Sequence, residues 1–153
     1  ICFVCLGNIC RSPMAEGISK RLVQQQGLSG QFHVESAGVG GWHVGEAPDA
    51  RAQQTAAAHG IQLDGTAQQF TARDFAQLDL IMALDAEVAS DLRRMAGSEI
   101  NRRKIHLLRE YDPLAGGESD VPDPYYGGLE GFEQVYQMIE RACRGLLESL
   151  STD

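Results

Sequence analysis

At 153 residues, with 43% hydrophobic and 22% charged side chains, the chain has the composition of a soluble globular protein and the length of one domain, residues 1–153. Its net charge of −8 argues against nucleic acid as the main partner, and no apolar run approaches the ~18 residues of a membrane span. Three of the four cysteines fall within residues 1–10, so we expect a cytoplasmic protein with thiol chemistry at one site rather than a disulfide framework.

The first predicted strand, Ile1–Val4, leads into a short loop that begins with Cys5 and ends with Arg11. Gly7 and Asn8 tolerate the left-handed backbone that a tight loop around an anion requires. Backbone N–H groups and the positive end of a following helix together bind a phosphate-sized dianion, and nearby positive charge favours a thiolate. The loop therefore predicts an enzyme that cleaves phosphate esters with a cysteine nucleophile.

The next elements predicted are a helix and a second strand. Ser12 is expected to cap the helix, with Pro13 in its first position and Gly27 marking its end. Phe32–Ser36 is predicted as the second strand, and a glycine-rich connection follows it.

Further elements follow at similar intervals along the chain. A second helix is predicted over Asp49–His59, and Thr71–Asp74 has the pattern of a brief capped turn. The apolar run Leu78–Leu84 predicts a buried strand, Asp85 is expected to cap the next helix, and Ile105–Leu108 is predicted as a fourth strand. An apolar stripe that runs from Phe132 to Leu150 predicts a last helix.

Strands that alternate with helices predict an α/β fold with a four-stranded parallel sheet and helices on both faces. Ligands in such sheets bind beyond the carboxyl ends of the strands, where the strand order reverses. The Cys5 loop follows the carboxyl end of the first strand, so its place in the fold agrees with its chemistry.

Cleavage of a phosphate ester of a phenol needs a nucleophile, stabilisation of three equatorial oxygens and a proton for the leaving group. We expect Cys5 to attack and Arg11 to clamp two oxygens with its planar fork. The remaining donors would be the backbone amides of Leu6, Gly7, Asn8, Ile9, Cys10 and Arg11. The proton donor must come from elsewhere, and the candidates in the proline-rich loop are Asp112, Asp120 and Asp123. The two prolines around Asp123 favour it only slightly.

Two other readings of the cysteines are rejected. Cys2 and Cys5 have the spacing of a zinc or redox motif, with Cys10 as a further ligand, but residues three apart on a strand point to opposite faces. No metal and no cofactor are therefore expected. Cys2 and Cys143 are predicted to be core residues.

The run VCLGNICRSPMAE at 4–16 resembles the signature of the low-molecular-weight protein tyrosine phosphatases. The similarity continues at Ser36–Gly38, at Trp42–Gly45, at Pro48, Asp49 and Arg51, and at Asp123–Gly127, and it covers nearly the whole chain. It implies the phosphotyrosine phosphatase I-like fold, a Rossmann-like three-layer sandwich. It also implies hydrolysis of phosphotyrosine and small aryl phosphates through a phosphocysteine.

The resemblance also implies roles for single residues. Asp123 would be the general acid and then the base, and Ser12 would stabilise the thiolate. Asn8 would brace the loop with Ser36 behind it. Cys10 would act as a redox guard by closing a reversible disulfide with the oxidised nucleophile.

The substrate cleft is expected to be walled by the aromatic and imidazole side chains of Trp42, His43, Tyr125 and Tyr126. The partners implied are phosphotyrosine-containing proteins, with inorganic phosphate as product, and a monomer is expected. One departure concerns 65–68, where many members of the family carry a His and an Arg that this chain lacks. Water or another side chain would then complete the brace, or the loop would be held less firmly.

Three other functions are compatible with parts of this pattern. Arsenate reductases share the loop but relay a disulfide through further cysteines, and the sequence has none between Cys10 and Cys143. Protein-arginine phosphatases resemble this chain but carry Thr at the position of Ile9. An inactive phosphate-binding module would be expected to have lost Cys5, Arg11 or Asp123, and all three are present.

Overall fold

The computed structural model describes residues 1–151, in which four parallel strands form one sheet with the order β2-β1-β3-β4. The strands are β1 Cys2–Cys5, β2 Glu35–Gly38, β3 Ile81–Ala83 and β4 Ile105–Leu107. The helices are α1 Arg11–Gln25, α2 Ala50–Ala58, α3 Ala86–Ala96, α4 Glu99–Arg102 and α5 Leu129–Ser151. Short 3-10 helices cover Ala72–Gln77 and Leu108–Tyr111.

The sheet is covered on both faces, as predicted. Alternate residues of β1 belong to different cores: Phe3 and Cys5 pack with residues of α1, α2 and α5, whereas Cys2 and Val4 pack with residues of α3. Cys2 and Cys5 thus lie on opposite faces of the strand.

Strand β1 has β2 on one side and β3 on the other, so the strand order reverses at its carboxyl end. The register pairs Cys5 with Gly38, which brings the end of β2 against the loop that follows β1. This is the position at which parallel sheets bind ligands.

The start of α1 differs from the prediction. The helix begins at Arg11 with Cys10 as its N-cap residue, so Pro13 is the third helical residue and Ser12 does not cap the helix. The Ser12 side chain is instead drawn inward by partners that are distant in sequence. The cap predicted for α3 is confirmed, because Asp85 accepts from the N–H of Val88, whereas Asp49, predicted as the first residue of α2, is its N-cap and accepts from the N–H of Arg51.

Strands β2, β3 and β4 are shorter than predicted, and β2 covers Glu35–Gly38 rather than Phe32–Ser36. Strand β1 has the predicted length but lies one residue further along the chain. The apolar pattern of the sequence continues past the ends of a strand, whereas the backbone hydrogen bonds between two strands stop where one strand turns away from the other. Helix α4 was not predicted, since four residues are too few to show a helical period. Within residues 1–151, no helix combines the length and the apolar character needed to cross a bilayer.

Candidate active site

Two carbonyl groups of the loop between β1 and α1 are turned outward. The carbonyl of Leu6 accepts from the N–H of Gly40 at 2.9 Å, and that of Ile9 accepts from the N–H of Asp49 at 2.8 Å. In a trans peptide the C=O and the following N–H point in opposite directions. The N–H groups that follow these two carbonyls therefore point into the loop, where an anion would bind.

Asn8 supplies the one sharp turn that this loop needs. Among the non-glycine residues that the structure describes, it alone has a positive φ, of 60°. Its N–H points at Cys5 Sγ, 3.3 Å away. Gly7 does not adopt the left-handed conformation; its lack of a side chain matters because a Cβ there would lie 2.9 Å from the His43 ring.

Cys5 lies at the base of the loop and is only 3% exposed. Its Sγ is 2.9 Å from Ser12 Oγ. The side-chain amide of Asn8 donates to the same Oγ at 2.8 Å, so the hydroxyl of Ser12 can donate its own hydrogen to the sulfur, which is nearer than its other acceptor, the carbonyl of Ala37 at 3.4 Å. A thiolate at this position would receive two hydrogen bonds, one from the N–H of Asn8 and one from Ser12.

Arg11 is anchored from one edge, which leaves the other edge of its guanidinium free. Nη1 donates to Asp85 Oδ2 at 2.7 Å and to the carbonyl of Val121 at 2.9 Å. Burial opposes the charge, but the neighbouring Cys5 and Asp85 outweigh it and hold the pKa of Arg11 above its ordinary value. The buried guanidinium therefore stays charged beside the nucleophile.

Asp123 is the acidic side chain that faces this guanidinium. Its Oδ2 lies 3.8 Å from Arg11 Nη2, and its side chain is 39% exposed. The N–H of Tyr125 donates to Oδ1 at 3.1 Å. A carboxylic acid in this position can reach both the cavity and solvent.

The other two aspartates of this loop have structural partners. Asp112 has a fully buried side chain and accepts from Arg141 at 3.0 and 3.2 Å, with Arg109 Nε 3.2 Å away. Burial works against ionisation there, yet the hydrogen bonds from Arg141 prevail and lower the pKa of Asp112. Asp120 accepts from the N–H of Ala86 at the start of α3. Neither carboxylate lines the cavity above Cys5.

The brace behind the loop is complete without a histidine. Asn8 Nδ2 donates to Ser36 Oγ at 3.0 Å as well as to Ser12, and its Oδ1 accepts from the backbone N–H of Gln68 at 3.0 Å. Gln68 Nε2 donates to the carbonyl of Ser36 at 2.9 Å. Ser36 Oγ in turn donates to Glu16 Oε1 at 2.5 Å. Each polar group that orients the Asn8 amide thus has a defined partner.

A cavity of about 270 Å³ opens above the loop. It is lined by Cys5, Leu6, Gly7, Ile9, Cys10, Arg11, Trp42, His43, Asp123, Tyr125 and Tyr126. The rings of Trp42 and Tyr126 are 71% and 94% exposed, so they form the rim, while Tyr125 is less exposed and packs edge-on against Tyr126. His43 Nδ1 lies 2.5 Å from Glu46. The cavity therefore has a thiol and a guanidinium at its base and aromatic rings at its mouth.

Cys10 lines this cavity and is a free thiol, as is Cys5. Burial, reinforced by the charges of Asp49 and Asp123, raises the pKa of Cys10 to about 12. The Cys10 thiol is therefore neutral at physiological pH.

Sequence reasoning missed several supporting residues. Asp85 was predicted only as a helix cap, although its position directly after a strand beside β1 was a usable signal. Glu16 ends the signature run and Gln68 lies in the segment that departs from the family, but neither was given a role, because their partners come from elements distant in the chain. Arg51 was noted only as part of a family motif. In the structure its guanidinium donates to the carbonyl of Gly127, in the loop that carries Asp123.

Comparisons with known proteins show which family the chain resembles. The family model described as low molecular weight phosphotyrosine protein phosphatase matches residues 1–153. A low molecular weight protein-tyrosine-phosphatase of Streptomyces coelicolor is 51% identical over 151 residues, covering 98% of this chain and 92% of the relative.

Two solved structures show how widely the architecture is shared. A protein tyrosine phosphatase from Entamoeba histolytica superposes with a TM-score of 0.94 at 34% identity, covering 99% of this chain and 96% of that one. A Drosophila arginine phosphatase superposes with a TM-score of 0.92 at 36% identity, covering 99% and 98%. Overall shape does not separate these two activities, so the site residues must be considered.

Proposed function

Because the chain belongs to the low molecular weight phosphotyrosine protein phosphatase family and is a protein tyrosine phosphatase, we propose that Cys5 is its nucleophile. The Cys5 thiolate attacks phosphorus in line with the phenolic oxygen, an S–P bond forms, and the P–O bond breaks. Asp123 gives its proton to the departing phenolate. The products of this step are a phenol and a phosphocysteine.

In the second half of the reaction the same groups act in reverse. Asp123, now a carboxylate, takes a proton from a water molecule that attacks phosphorus. The S–P bond breaks, Cys5 leaves as a thiolate, and inorganic phosphate is released. The hydrogen bond between Ser12 and Cys5, 2.9 Å long, favours the thiolate both as nucleophile and as leaving group.

Charge on the transferred phosphoryl group is stabilised by donors fixed before substrate arrives. The edge of the Arg11 guanidinium that faces Asp123 binds two oxygens, and backbone N–H groups of the loop, among them those of Gly7 and Cys10, bind the others. The anchoring of Arg11 by Asp85 supports this role, because an arginine already oriented loses little freedom on binding.

The proposal that phosphotyrosine is the substrate rests on the aromatic residues that line the cavity. Trp42, His43, Tyr125 and Tyr126 wall a narrow opening above Cys5. A phenyl ring packs between such walls and reaches the loop, whereas the shorter arm of phosphoserine does not. Ile9 offers an apolar contact with no hydroxyl for a phosphoguanidinium, so hydrolysis of phosphoarginine is not favoured.

We assign Cys10 as a redox guard and the cytoplasm as the compartment. A peroxide converts Cys5 to its sulfenic acid, which condenses with the Cys10 thiol to a disulfide and water. The position of both thiols at one cavity supports this assignment. Phosphotyrosine-containing proteins are the proposed partners, and the chain is proposed to act as one domain and a monomer.

The test is hydrolysis of phosphotyrosine, phosphoserine and phosphoarginine peptides by the wild type and by Cys5→Ser. We expect rapid release of phosphate from phosphotyrosine alone and a loss of at least about 10³-fold in Cys5→Ser, since a serine hydroxyl is a weak nucleophile here. Cys2→Ser is the matched control. Retained activity in Cys5→Ser, or preference for phosphoarginine, would contradict the proposal.

A further inference from the structure

Arg51 and Asp49 form a rigid pair at the start of α2. Arg51 donates from Nε to Asp49 Oδ1 and from Nη2 to Asp49 Oδ2, both at 3.0 Å. The same carboxylate accepts from the backbone N–H of Arg51 at 2.8 Å, as the N-cap of the helix. These hydrogen bonds lower the pKa of Asp49 and raise that of Arg51, so both groups are charged at neutral pH. The bidentate geometry fixes the plane of the guanidinium.

The third side of the Arg51 guanidinium is bound to the segment that carries Asp123. Nη1 donates to the carbonyl of Gly127 at 2.7 Å. The N–H of Gly127 donates to the carbonyl of Pro124 at 2.9 Å, and that of Tyr125 donates to Asp123 Oδ1 at 3.1 Å. Arg51 is thus linked to the Asp123 carboxylate through the hydrogen bonds of one short turn.

The flat faces of the guanidinium contact two aromatic rings. Its central carbon lies 5.4 Å from the centroid of Tyr125 and 4.7 Å from that of Phe132. Phe132 is fully buried, whereas Tyr125 is 38% exposed at the wall of the cavity. Arg51 therefore packs Tyr125 on the core through cation–π contacts, and a lysine cannot copy this arrangement.

The pair also contacts the phosphate-binding loop. The N–H of Asp49 donates to the carbonyl of Ile9 at 2.8 Å. Through Asp49 and Gly127, Arg51 therefore links two loops that are distant in sequence, one holding the nucleophile and one holding the acid. Arg11 also links these loops, but the reaction itself uses its charge.

We propose that Arg51 is a positioning residue, which holds Asp123 and Tyr125 at the correct height above Cys5. It touches no reacting atom. It sets the place from which the proton is delivered and the wall on which the phenyl ring packs. This inference rests on the proposed function, because it assumes that Asp123 is the acid.

A misplaced acid has a recognisable kinetic signature. Poor leaving groups depend on the proton, whereas a phenol that leaves easily needs little help. A mutation far from the chemistry that displaces a catalytic group by about 1 Å can lower the rate by about 10²-fold. Loss of Arg51 should therefore lower kcat/KM mainly for poor leaving groups, and loss of the Tyr125 wall should raise KM for aryl phosphates.

The experiment compares wild type, Arg51→Met and Arg51→Lys across aryl phosphates of graded leaving-group quality. Arg94→Met is the matched control, because Arg94 makes an exposed ion pair with Asp91 in α3, distant in sequence from both loops. Melting temperature is measured for each variant. Lysine keeps the charge but cannot make the fork, so Arg51→Lys provides a folded variant if Arg51→Met is unstable.

We expect both Arg51 variants to lose about tenfold or more in kcat/KM for the poorest leaving group and less than about threefold for the best. Arg94→Met should match the wild type. A lower melting temperature with an unchanged dependence on the leaving group would overturn the inference, since Arg51 would then only fasten α2. Losses in kcat that are equal for all leaving groups would overturn it too, since a misplaced acid must affect the poor leaving groups most.

Failure of this inference and failure of the proposed function give different results. If the wild type does not hydrolyse phosphotyrosine, or if Cys5→Ser remains active, the function itself is wrong. If the wild type is active, Cys5→Ser is inactive and the Arg51 variants behave as wild type, only the role of Arg51 is wrong.

Discussion

The environment of each aspartate in the proline-rich loop decides what its carboxyl group can do. Asp112 is fully buried between two arginines, and Asp120 binds the first N–H of α3. Asp123 is part-exposed and faces the cavity. A proton donor must be able to hold a proton near neutral pH and release it to a substrate. Asp123 has access to substrate, and Asp112 is held ionised by its partners.

Replacing Asp123 by Ala should reduce kcat/KM for phenyl phosphate by about 10²–10⁴-fold, because the departing phenolate would lack its proton. The loss should shrink as the phenol becomes a better leaving group. Steady-state hydrolysis of a series of aryl phosphates measures this dependence.

The control for this substitution is Asp79→Asn, an exposed aspartate that does not line the cavity. It should behave as the wild type. If the loss in Asp123→Ala were the same for every phenol, the acid would have to be another residue.

At the scale of elements, the end of β2 supports the phosphate-binding loop by close backbone contact. A Cβ at Gly38 would lie 2.9 Å from the carbonyl carbon of Gly7 and 3.0 Å from the amide nitrogen of Asn8. Both atoms belong to the backbone and cannot move without changing the direction of the loop N–H groups.

Gly38→Ala should therefore cost about 1–3 kcal/mol of stability, as overpacking usually does, and should weaken phosphate binding at the same time. Urea unfolding gives the first quantity, and inhibition by inorganic phosphate gives the second. Gly30→Ala is the control, because nothing lies within 4 Å of a Cβ at that position. Unchanged inhibition by phosphate in Gly38→Ala would show that the loop adapts.

At the scale of the whole molecule, one buried ion cluster joins the chain after β4 to the last helix. Asp112 lies between Arg109, which is 5% exposed, and Arg141 of α5. Arg109 also donates to the carbonyl of Asp120 at 2.7 Å, three residues before Asp123. The cluster therefore fixes the base of the loop that delivers the acid.

Asp112→Asn should destabilise the protein by about 3 kcal/mol at pH 7, because the buried guanidinium of Arg109 would lose its nearest carboxylate, at 3.2 Å, and keep only that of the exposed Glu118, at 3.7 Å. The pKa of Asp112 is lowered in the folded state. Its stabilising contribution is thus complete above the unfolded value of about 3.9 and is lost as the pH falls through the folded pKa. The difference between wild type and variant should narrow below about pH 4.

Urea unfolding followed by far-UV circular dichroism at several pH values measures this difference, with Asp79→Asn as the control. If the difference in the free energy of unfolding between wild type and Asp112→Asn stayed constant down to pH 3, the Asp112 charge would not stabilise the fold.

The sequence by itself determined the features that depend on neighbours along the chain. Cys5 and Arg11 lie at the two ends of one short loop, so their proximity follows from the chain. The α/β class, the parallel sheet and the Asp85 cap of α3 follow from local patterns, and the structure confirms them. Periodicity and capping arise from contacts within a few residues.

The tertiary structure decided which distant groups meet. Ser12 has the sequence of a helix cap, but the thiol of Cys5 and the amide of Asn8 take its hydroxyl instead. The brace is completed by Glu16 and Gln68, which no local pattern indicates. Long polar side chains take their partners from whichever element packs beside them, and that packing is set by the burial of both faces of the sheet.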